Sequence, residues 1–262
     1  MKIALAVRSI RPKGGTESYL FDLVAGFKRA GHDVHVFTAC WGRGSPLPSL
    51  GAAIHHVPLA LVPSLPRHWL FRAALSRTMQ RHDYDLSISL ARLHGLDLAI
   101  CGGTHLGYLR SIGHQPRLKD RSEIALERRC YSESSLIVAH SRLMQSELEE
   151  LYGVPAEKIA LIHPPVDVRR FHPVGPETKT RLKRHFGLAV DRKTLLFPST
   201  SHVRKGLPLL LEALDRLPAG HFELAVAGSN PGLFGGRENR TIKFLGFVNN
   251  LEDVYRAAPN RR

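Results

Sequence analysis

Short apolar runs alternate with longer segments of helical spacing along most of this chain. The first run, residues 2–7, precedes a segment whose apolar residues recur on one helical face, namely Leu20, Leu23, Val24 and Phe27. A second run at residues 34–38 comes after Gly31, and glycine is typical just past the end of a helix. Parallel strands need a crossover connection, so this order predicts a βαβ unit and a parallel sheet.

The alternation continues to the end of the chain. Further strands are predicted at residues 53–58, 85–90, 98–101, 136–139, 195–197, 222–227 and 242–246. Helices are predicted at residues 67–82, 142–152 and 177–186, from residue 251 onwards, and from residue 207 with a stripe of Leu207, Leu210, Leu211, Leu214 and Leu217. The pair Pro164-Pro165 fits a stiff hinge, so we expect two α/β domains, residues 1–165 and 166–262.

The strongest candidate for a ligand site is the loop between residues 197 and 207. It ends in Arg204, Lys205 and Gly206, directly before the leucine-rich helix. The first N–H groups of a helix lack partners within the helix, and the helix dipole favours negative charge at that end. With two cations beside it, this helix start is predicted to bind a diphosphate.

Two glycine pairs follow predicted strands, at the sheet edge where open α/β folds bind ligands. Gly14 and Gly15 come after the first strand, and paired glycines permit positive φ and close approach of a ligand to the backbone. The second pair, at residues 102–103, leads into Thr104 and His105. His105 is therefore predicted to face the ligand-binding edge. The GxGxxG fingerprint is missing here, which argues against a dinucleotide cofactor.

The charge of the chain adds a preference for anionic partners. Its 37 Lys and Arg against 23 Asp and Glu give a net charge of +14. This favours a phosphorylated substrate, an anionic membrane or nucleic acid, although a solvated basic surface explains it as well. The segment 67–82 has two readings that the sequence leaves open. It is either a basic amphipathic helix with Trp69 at a membrane interface or a surface helix that covers the sheet.

Several classes of protein are disfavoured by what the sequence lacks. No apolar run approaches the roughly 20 residues of a membrane-spanning helix, and residues 1–7 are too short for a signal peptide. The three cysteines are far apart, which predicts reduced thiols in a cytoplasmic protein, without disulfides or a metal cluster. Asp83 and Asp85 have the spacing of a metal-binding DxD pair but precede a strand, so no metal site is predicted.

The order of these motifs resembles that of the retaining glycosyltransferases of the GT4 family, which have the GT-B fold. The resemblance rests on the opening strand with Gly14-Gly15-Thr16-Glu17, on the segment Gly31-His32-Asp33-Val34, on the block from residue 136 to Pro173, and on the strand and loop at 242–248. Lipopolysaccharide-core hexosyltransferases are the nearest members. The resemblance implies two Rossmann-like domains, residues 1–165 on the acceptor side and residues 166–262 for the nucleotide sugar.

The resemblance also implies an activity and a set of site residues. The family moves a hexose from a nucleotide-diphosphate sugar to a saccharide or lipid-linked acceptor, here in cell-envelope polysaccharide or lipopolysaccharide synthesis, without a cofactor. Donor-diphosphate contacts would come from Gly14, Gly15, Arg204 and Lys205. His105 would be catalytic and act on the donor sugar. The basic segment 107–130 would contact the acceptor or an anionic inner-membrane surface, through Arg110, Arg117 and Lys119.

One family element has no counterpart in the sequence. The Glu-x7-Glu helix, which contacts donor sugar and ribose in the family, would follow the last predicted helix, so the resemblance implies an incomplete second domain and a truncated chain. Three functions remain open: an active hexosyltransferase, a truncated chain with weak or no activity, and a basic module for membrane or nucleic acid. Aromatic residues make up 7% of the chain, and few lie among its basic segments, so nucleic acid is not expected as a partner.

Overall fold

The computed structural model describes residues 1–10, 14–40, 42, 45–57, 67–79, 83–218, 220–229, 232, 234 and 241–258. The chain divides into two compact units, Met1–Pro165 and Val166–Arg262. Each unit has its own sheet, and every strand pairing among the described residues is parallel. The predicted α/β class is therefore confirmed.

The described part of the first unit contains a seven-stranded sheet. Its strands are β1 (Lys2–Ala6), β2 (Asp33–Thr38), β3 (Ala53–His56), β4 (Leu86–Ser89), β5 (Leu98–Cys101), β6 (Leu136–Ala139) and β7 (Ile159–Leu161). The described helices are α1 (Gly15–Arg29), α2 (Arg67–Met79), α3 (His105–Ser111), α4 (Leu118–Glu133) and α5 (Arg142–Tyr152), and a 3₁₀ turn spans Ala156–Lys158. The strand order β3-β2-β1-β4-β5-β6-β7 reverses direction at β1, so the ends of β1 and β4 form a topological switch point.

Both faces of the central strand β1 are buried, because successive side chains point to opposite faces of a sheet. Ile3 and Leu5 pack with residues of α1 on one face. Ala4 and Ala6 pack on the other face with the fully buried Phe71 and Leu75 of α2. This packing explains the continuous apolar run in β1.

The packing of α2 also decides between the two readings of segment 67–82. Phe71 and Leu75 point into the core, so this helix covers the sheet and its apolar face is not available to a membrane. The side chain of Trp69, for which one of the two readings expected an interfacial role, lies outside the described part of the chain. Residues 80–82 lie outside it as well. No helix formed by the described residues is long and apolar enough to cross a bilayer.

The second unit contains a three-stranded sheet in its described part. Its strands are β8 (Lys193–Ser199), β9 (Phe222–Gly228) and β10 (Ile242–Gly246), in the order β10-β9-β8. Its helices are α6 (Pro176–His185), α7 (Leu207–Asp215) and α8 (Leu251–Ala257). Leu207 and Leu211 are buried, and Leu210 and Leu214 pack against the same core. Leu217 was wrongly placed on that stripe: α7 ends at Asp215, and Leu217 is 44% exposed beyond it.

Candidate functional site

His105 is held at the start of a helix that directly follows β5. It is the first residue of α3, and the side chain of Thr104 caps this helix by accepting a hydrogen bond from the N–H of Gly107 at 3.0 Å. Thr104 also donates to the carboxylate of Glu147 on α5. The predicted position of His105 at the carboxyl end of a strand is therefore what the structure shows, while its catalytic role stays a prediction.

The imidazole of His105 contacts a carboxylate of the next helix. Its Nε2 lies 2.9 Å from Oδ1 of Asp120, whose Oδ2 accepts the backbone N–H of Arg117 at 2.9 Å. The Arg117 N–H and the His105 ring hold the pKa of Asp120 below its ordinary value. An ionised Asp120 accepts only, so Nε2 must carry the proton and Nδ1 of a neutral His105 is then a hydrogen-bond acceptor.

The backbone of His105 is bound by a second carboxylate, that of Glu127 on α4. The His105 N–H donates to both oxygens of Glu127, at 3.0 and 2.9 Å. The Glu127 side chain has no exposed surface and also accepts from Arg92 Nε at 2.7 Å and from the Tyr152 hydroxyl. A buried carboxylate is tolerated only when it is paired in this way.

The amino end of α3 is closed to anions. The first N–H groups of a helix have no acceptor within the helix, but here the N–H of His105 donates to Glu127, that of Leu106 to the Tyr152 hydroxyl at 3.2 Å, and that of Gly107 to Thr104. A Cβ at Gly107 would lie 2.2 Å from the Glu147 carboxylate, so α3 packs closely on α5. A phosphate has no free backbone donor at this helix start.

The glycine pair before α1 differs from its prediction in one respect. Gly14 has φ −123°, and Gly15 is the first helical residue, so neither has the expected positive φ. A Cβ at Gly14 would instead meet the carboxylate of Glu17, at 1.9 Å, whereas a Cβ at Gly15 would meet nothing within 4 Å. Backbone strain therefore explains neither glycine, and only at Gly14 do the surroundings leave little room; the role of the pair in donor binding stays a prediction.

His140 is a residue of this sheet edge that the sequence reasoning missed. It follows β6, and a Cβ at the neighbouring Gly102 would lie 3.4 Å from its Nδ1. The His140 ring contacts the ring of Tyr19 edge-on, with centroids 4.6 Å apart, and burial lowers the pKa of the imidazole. Among the described residues its buried Nε2 has no hydrogen-bond partner. A histidine placed directly after a strand, like His105, was the available signal.

In the second unit, the predicted basic pair lies on the loop before α7. Arg204 and Lys205 are exposed, and the described residues offer neither of them an ion pair. Gly206 follows with φ 85°, a left-handed conformation that favours glycine, and it caps α7 without a side chain. The carboxyl ends of β8 and β9 approach closely beside it, since a Cβ at Gly228 would lie 1.9 Å from the Ser199 carbonyl oxygen. The start of α7 is not the open set of N–H groups that was predicted, because the Leu207 N–H donates to the His202 carbonyl oxygen at 3.0 Å and Pro208 has no N–H.

The basic segment 107–130 forms α3, α4 and their connection. Arg110, Arg117 and Lys119 are exposed. Three large apolar side chains of the same segment are exposed as well, namely Tyr108 (44%), Ile112 (41%) and Leu118 (84%). A groove of about 430 Å³ also opens between the two helices, lined by Leu106, Gln115, Pro116, Arg121, Ile124, Ala125 and Arg128. The surface is both basic and apolar, whereas only its basic character was evident from the sequence.

The DxD spacing at Asp83 and Asp85 lies at the other edge of the sheet. Asp85 accepts the backbone N–H of Lys2, the first residue of β1, at 2.6 Å. His105, in contrast, follows the carboxyl end of β5. Asp85 therefore lies at the amino edge of the sheet, opposite the edge at which His105 lies.

Comparison with known proteins places this geometry in a family. Residues 13–170 match the family model of Glycosyltransferase Family 4. A probable transglycosylase of Burkholderia thailandensis is 39% identical over 258 residues, covering 98% of this chain and 69% of that protein.

Solved structures give the same fold. WaaG, a glycosyltransferase involved in lipopolysaccharide biosynthesis, has a TM-score of 0.83 at 18% identity, over 98% of this chain and 73% of WaaG. HepE of Anabaena, solved in complex with UDP-glucose, has a TM-score of 0.73 at 21% identity, over 98% of this chain and 72% of HepE. These likenesses show the fold, and the family match and the Burkholderia relative show the membership: the chain belongs to Glycosyltransferase Family 4.

Proposed function

We propose that the protein is a retaining hexosyltransferase that uses a nucleotide-diphosphate sugar as donor and a saccharide or lipid-linked molecule as acceptor, in the synthesis of lipopolysaccharide or another envelope polysaccharide. Membership of Glycosyltransferase Family 4 supports the transfer of a sugar. The UDP-glucose complex of HepE supports the donor class, and the role of WaaG supports the pathway. Retention of configuration is proposed from the family resemblance.

The observation that carries the proposal is the pair of exposed cations directly before α7, Arg204 and Lys205, to which the described residues offer no ion pair. Negative charge develops on the diphosphate as the sugar leaves, and preorganised positive groups stabilise that charge. We propose that Arg204 and Lys205 bind the diphosphate through their side chains, with the dipole of α7 adding positive potential at its start. Because both side chains lack an ion-pair partner among the described residues, a phosphate would not have to displace a carboxylate from them.

The residues of the first unit are assigned complementary roles in the same proposal. Gly14 and Gly15 would contact donor phosphate through their backbone. His105 would accept a hydrogen bond from a hydroxyl of the donor sugar through Nδ1, because Asp120 occupies Nε2. The hydroxyl would thereby be oriented as the glycosidic bond to the diphosphate breaks, and the chemistry would need no resident cofactor.

Titration of the full chain with UDP tests the diphosphate site. Replacing both cations, Arg204→Ala with Lys205→Ala, is expected to weaken UDP binding by about tenfold or more, because hydrogen bonds to charged groups contribute roughly 1.5–3 kcal/mol each. Arg181→Ala is the matched control, since this exposed arginine lies on α6 of the same unit. Isothermal titration calorimetry measures both. Equal affinity of the double variant and the control would contradict the proposal.

A second, compatible function is favoured by the exposed surface of α3 and α4. We propose that Tyr108, Ile112 and Leu118, with the cations around them, contact the acceptor or an anionic membrane surface, as in a peripheral protein at the cytoplasmic side of the inner membrane. Each basic side chain near such a surface contributes about 1 kcal/mol.

Co-sedimentation with vesicles tests this contact. Binding is expected to vesicles that contain anionic phospholipid and not to purely zwitterionic ones, and raised salt is expected to weaken it. The double variant Arg117→Glu with Lys119→Glu should bind less, while Arg181→Glu should bind as the wild type does. Equal binding to both kinds of vesicle would refute an electrostatic contact.

A further inference from the structure

Two carboxylates of one helix bind the same histidine. Asp120 accepts from the ring of His105, and Glu127 accepts from its backbone N–H. These acidic residues are seven positions apart, which is roughly two helical turns, so they lie on the same face of α4. That face is turned towards α3, so α4 holds both the position and the ring orientation of His105.

The buried Glu127 carboxylate accepts hydrogen bonds from residues in distant parts of the chain. Arg92 precedes β5 and donates to Glu127 through Nε at 2.7 Å, and Tyr152 at the end of α5 donates through its hydroxyl. Arg92 has φ 53° and is the one non-glycine residue with positive φ in the described part of the chain. Such a conformation persists only where surrounding contacts impose it, and it is frequent at functional sites.

The same contacts leave the residues after His105 little freedom. Tyr152 accepts the N–H of Leu106 while it donates to Glu127, so the Glu127 network holds two consecutive residues of α3. Thr104, the residue before His105, donates to the Glu147 carboxylate. Its hydroxyl also accepts the N–H of Gly107, two positions after His105. The backbone is therefore held on both sides of His105, and from that position the ring contacts Asp120.

We propose that Glu127 is a positioning residue for the sugar-transfer reaction, which holds His105 so that Asp120 fixes its tautomer and Nδ1 meets the donor sugar. Glu127 acts through His105 and does not touch substrate. The inference rests on the proposed role of His105 in transfer. A merely stabilising Glu127 would affect the melting temperature without affecting the ring of His105.

The variant Glu127→Gln tests the inference. Both oxygens of Glu127 accept hydrogen bonds, whereas the NH₂ group of glutamine can only donate, so at least one of the donors His105, Tyr152 and Arg92 would lose its acceptor. Glu123→Gln is the matched control: Glu123 lies on the same helix and binds the same Arg92 at 3.1 Å, whereas the contacts described for His105 are with Asp120 and Glu127. Tyr152→Phe is a second, milder variant that removes one hydroxyl and keeps the ring.

The first measurement is ¹⁵N NMR of the histidine rings in the full chain, with the His105 signals assigned by their loss in His105→Gln. We expect the Nε2-protonated tautomer of His105 in the wild type and in Glu123→Gln, and averaged or shifted ring signals in Glu127→Gln and Tyr152→Phe. Unchanged His105 signals in the folded variants would overturn the inference. If Glu127→Gln fails to fold by circular dichroism, Tyr152→Phe decides.

The second measurement is the turnover of UDP-glucose by the same proteins. We expect kcat to fall about tenfold or more in Glu127→Gln, as small misplacements of reacting groups have large effects on rate. KM should stay within about threefold, and Glu123→Gln should keep the wild-type rate. An equal loss in both variants would contradict positioning. If the wild type itself releases no UDP, the proposed function fails for this donor, while the NMR result still decides whether Glu127 positions His105.

Discussion

Single residues at the edge of the first sheet owe their geometry to ionised carboxylates. The Asp120 carboxylate accepts a hydrogen bond from the His105 ring and another from the Arg117 N–H at the start of α4. Both contacts need its negative charge. The pKa of Asp120 lies below its ordinary value of 3.8 for the same two reasons, of which the Arg117 hydrogen bond is the larger. The folded state therefore binds fewer protons than the unfolded state at acid pH, and linkage makes this a contribution to stability.

Thermal unfolding of Asp120→Asn across a pH series tests that contribution. Above pH 3.8 the wild type should melt at a higher temperature than the variant. Because the stabilisation is lost as pH falls through the lowered folded pKa, the difference between the two melting temperatures should shrink below that pH. A difference that stays constant from neutral to acid pH would show that the charge of Asp120 contributes nothing.

The position of His105 was predictable from the sequence, whereas its surroundings were not. A histidine after a strand and two glycines predicts a place at the carboxyl edge of the sheet, and the structure has it there. Glu127 contacts Arg92 and Tyr152, which lie in two other parts of the chain. No local sequence pattern predicts these contacts. His140 carried a usable signal, since it directly follows β6.

At the scale of elements, prediction succeeded where local sequence sets the boundaries. The helix at residues 142–152 was predicted with the limits of α5, because Ser141 caps its start by accepting from the Met144 N–H and Gly153 ends it with φ 66°. No helix was predicted where α3 and α4 lie. The buried face of α4 contains Glu127 beside Ile124 and Cys130, so a charged residue interrupts the apolar period that sequence reasoning relies on.

The start of α1 offers a test that separates folding from ligand binding. Gly15 is helical, and a Cβ there would meet nothing within 4 Å, so Gly15→Ala should stabilise the chain by up to about 1 kcal/mol. Urea unfolding measures this gain. If donor phosphates approach the backbone at Gly15 as proposed, the same variant should bind UDP more weakly despite its higher stability.

The outcomes of this test are distinct. Unchanged UDP affinity in a stabilised Gly15→Ala would remove Gly15 from the donor site and leave Arg204 and Lys205 unaffected. A loss of stability would contradict the helical geometry of Gly15 itself. Gly206→Ala is a useful contrast, because φ 85° strains any residue with a Cβ and should cost about 1–2 kcal/mol.

At the scale of the whole molecule, the two units differ in how much sheet each contains. In their described parts, the first has seven strands and core clusters on both faces of β1, and the second has three strands. Only β9 in that smaller sheet has a described neighbour on each side. Local stability rises with the number of packed and paired neighbours, so the second unit should open more readily.

Amide hydrogen exchange of the full chain measures this difference. Amides of β1 and β5 in the first unit are expected to exchange more slowly than those of β8 and β10. The strand β9 should be the most protected of its sheet, because it is paired on both sides. Uniform protection of the two sheets would show instead that the chain unfolds as one cooperative body.

The amino ends of α3 and α7 share a consequence for how this protein can diversify. The first backbone donors of α3 are already bound to Glu127, Tyr152 and Thr104, so a ligand at this edge would meet side chains. At α7 the Leu207 N–H is bound to the His202 carbonyl oxygen and Pro208 has none, so a phosphate bound there as proposed would depend mainly on the side chains of Arg204 and Lys205. Recognition in both units would therefore rest on side chains, and single substitutions would suffice to change it.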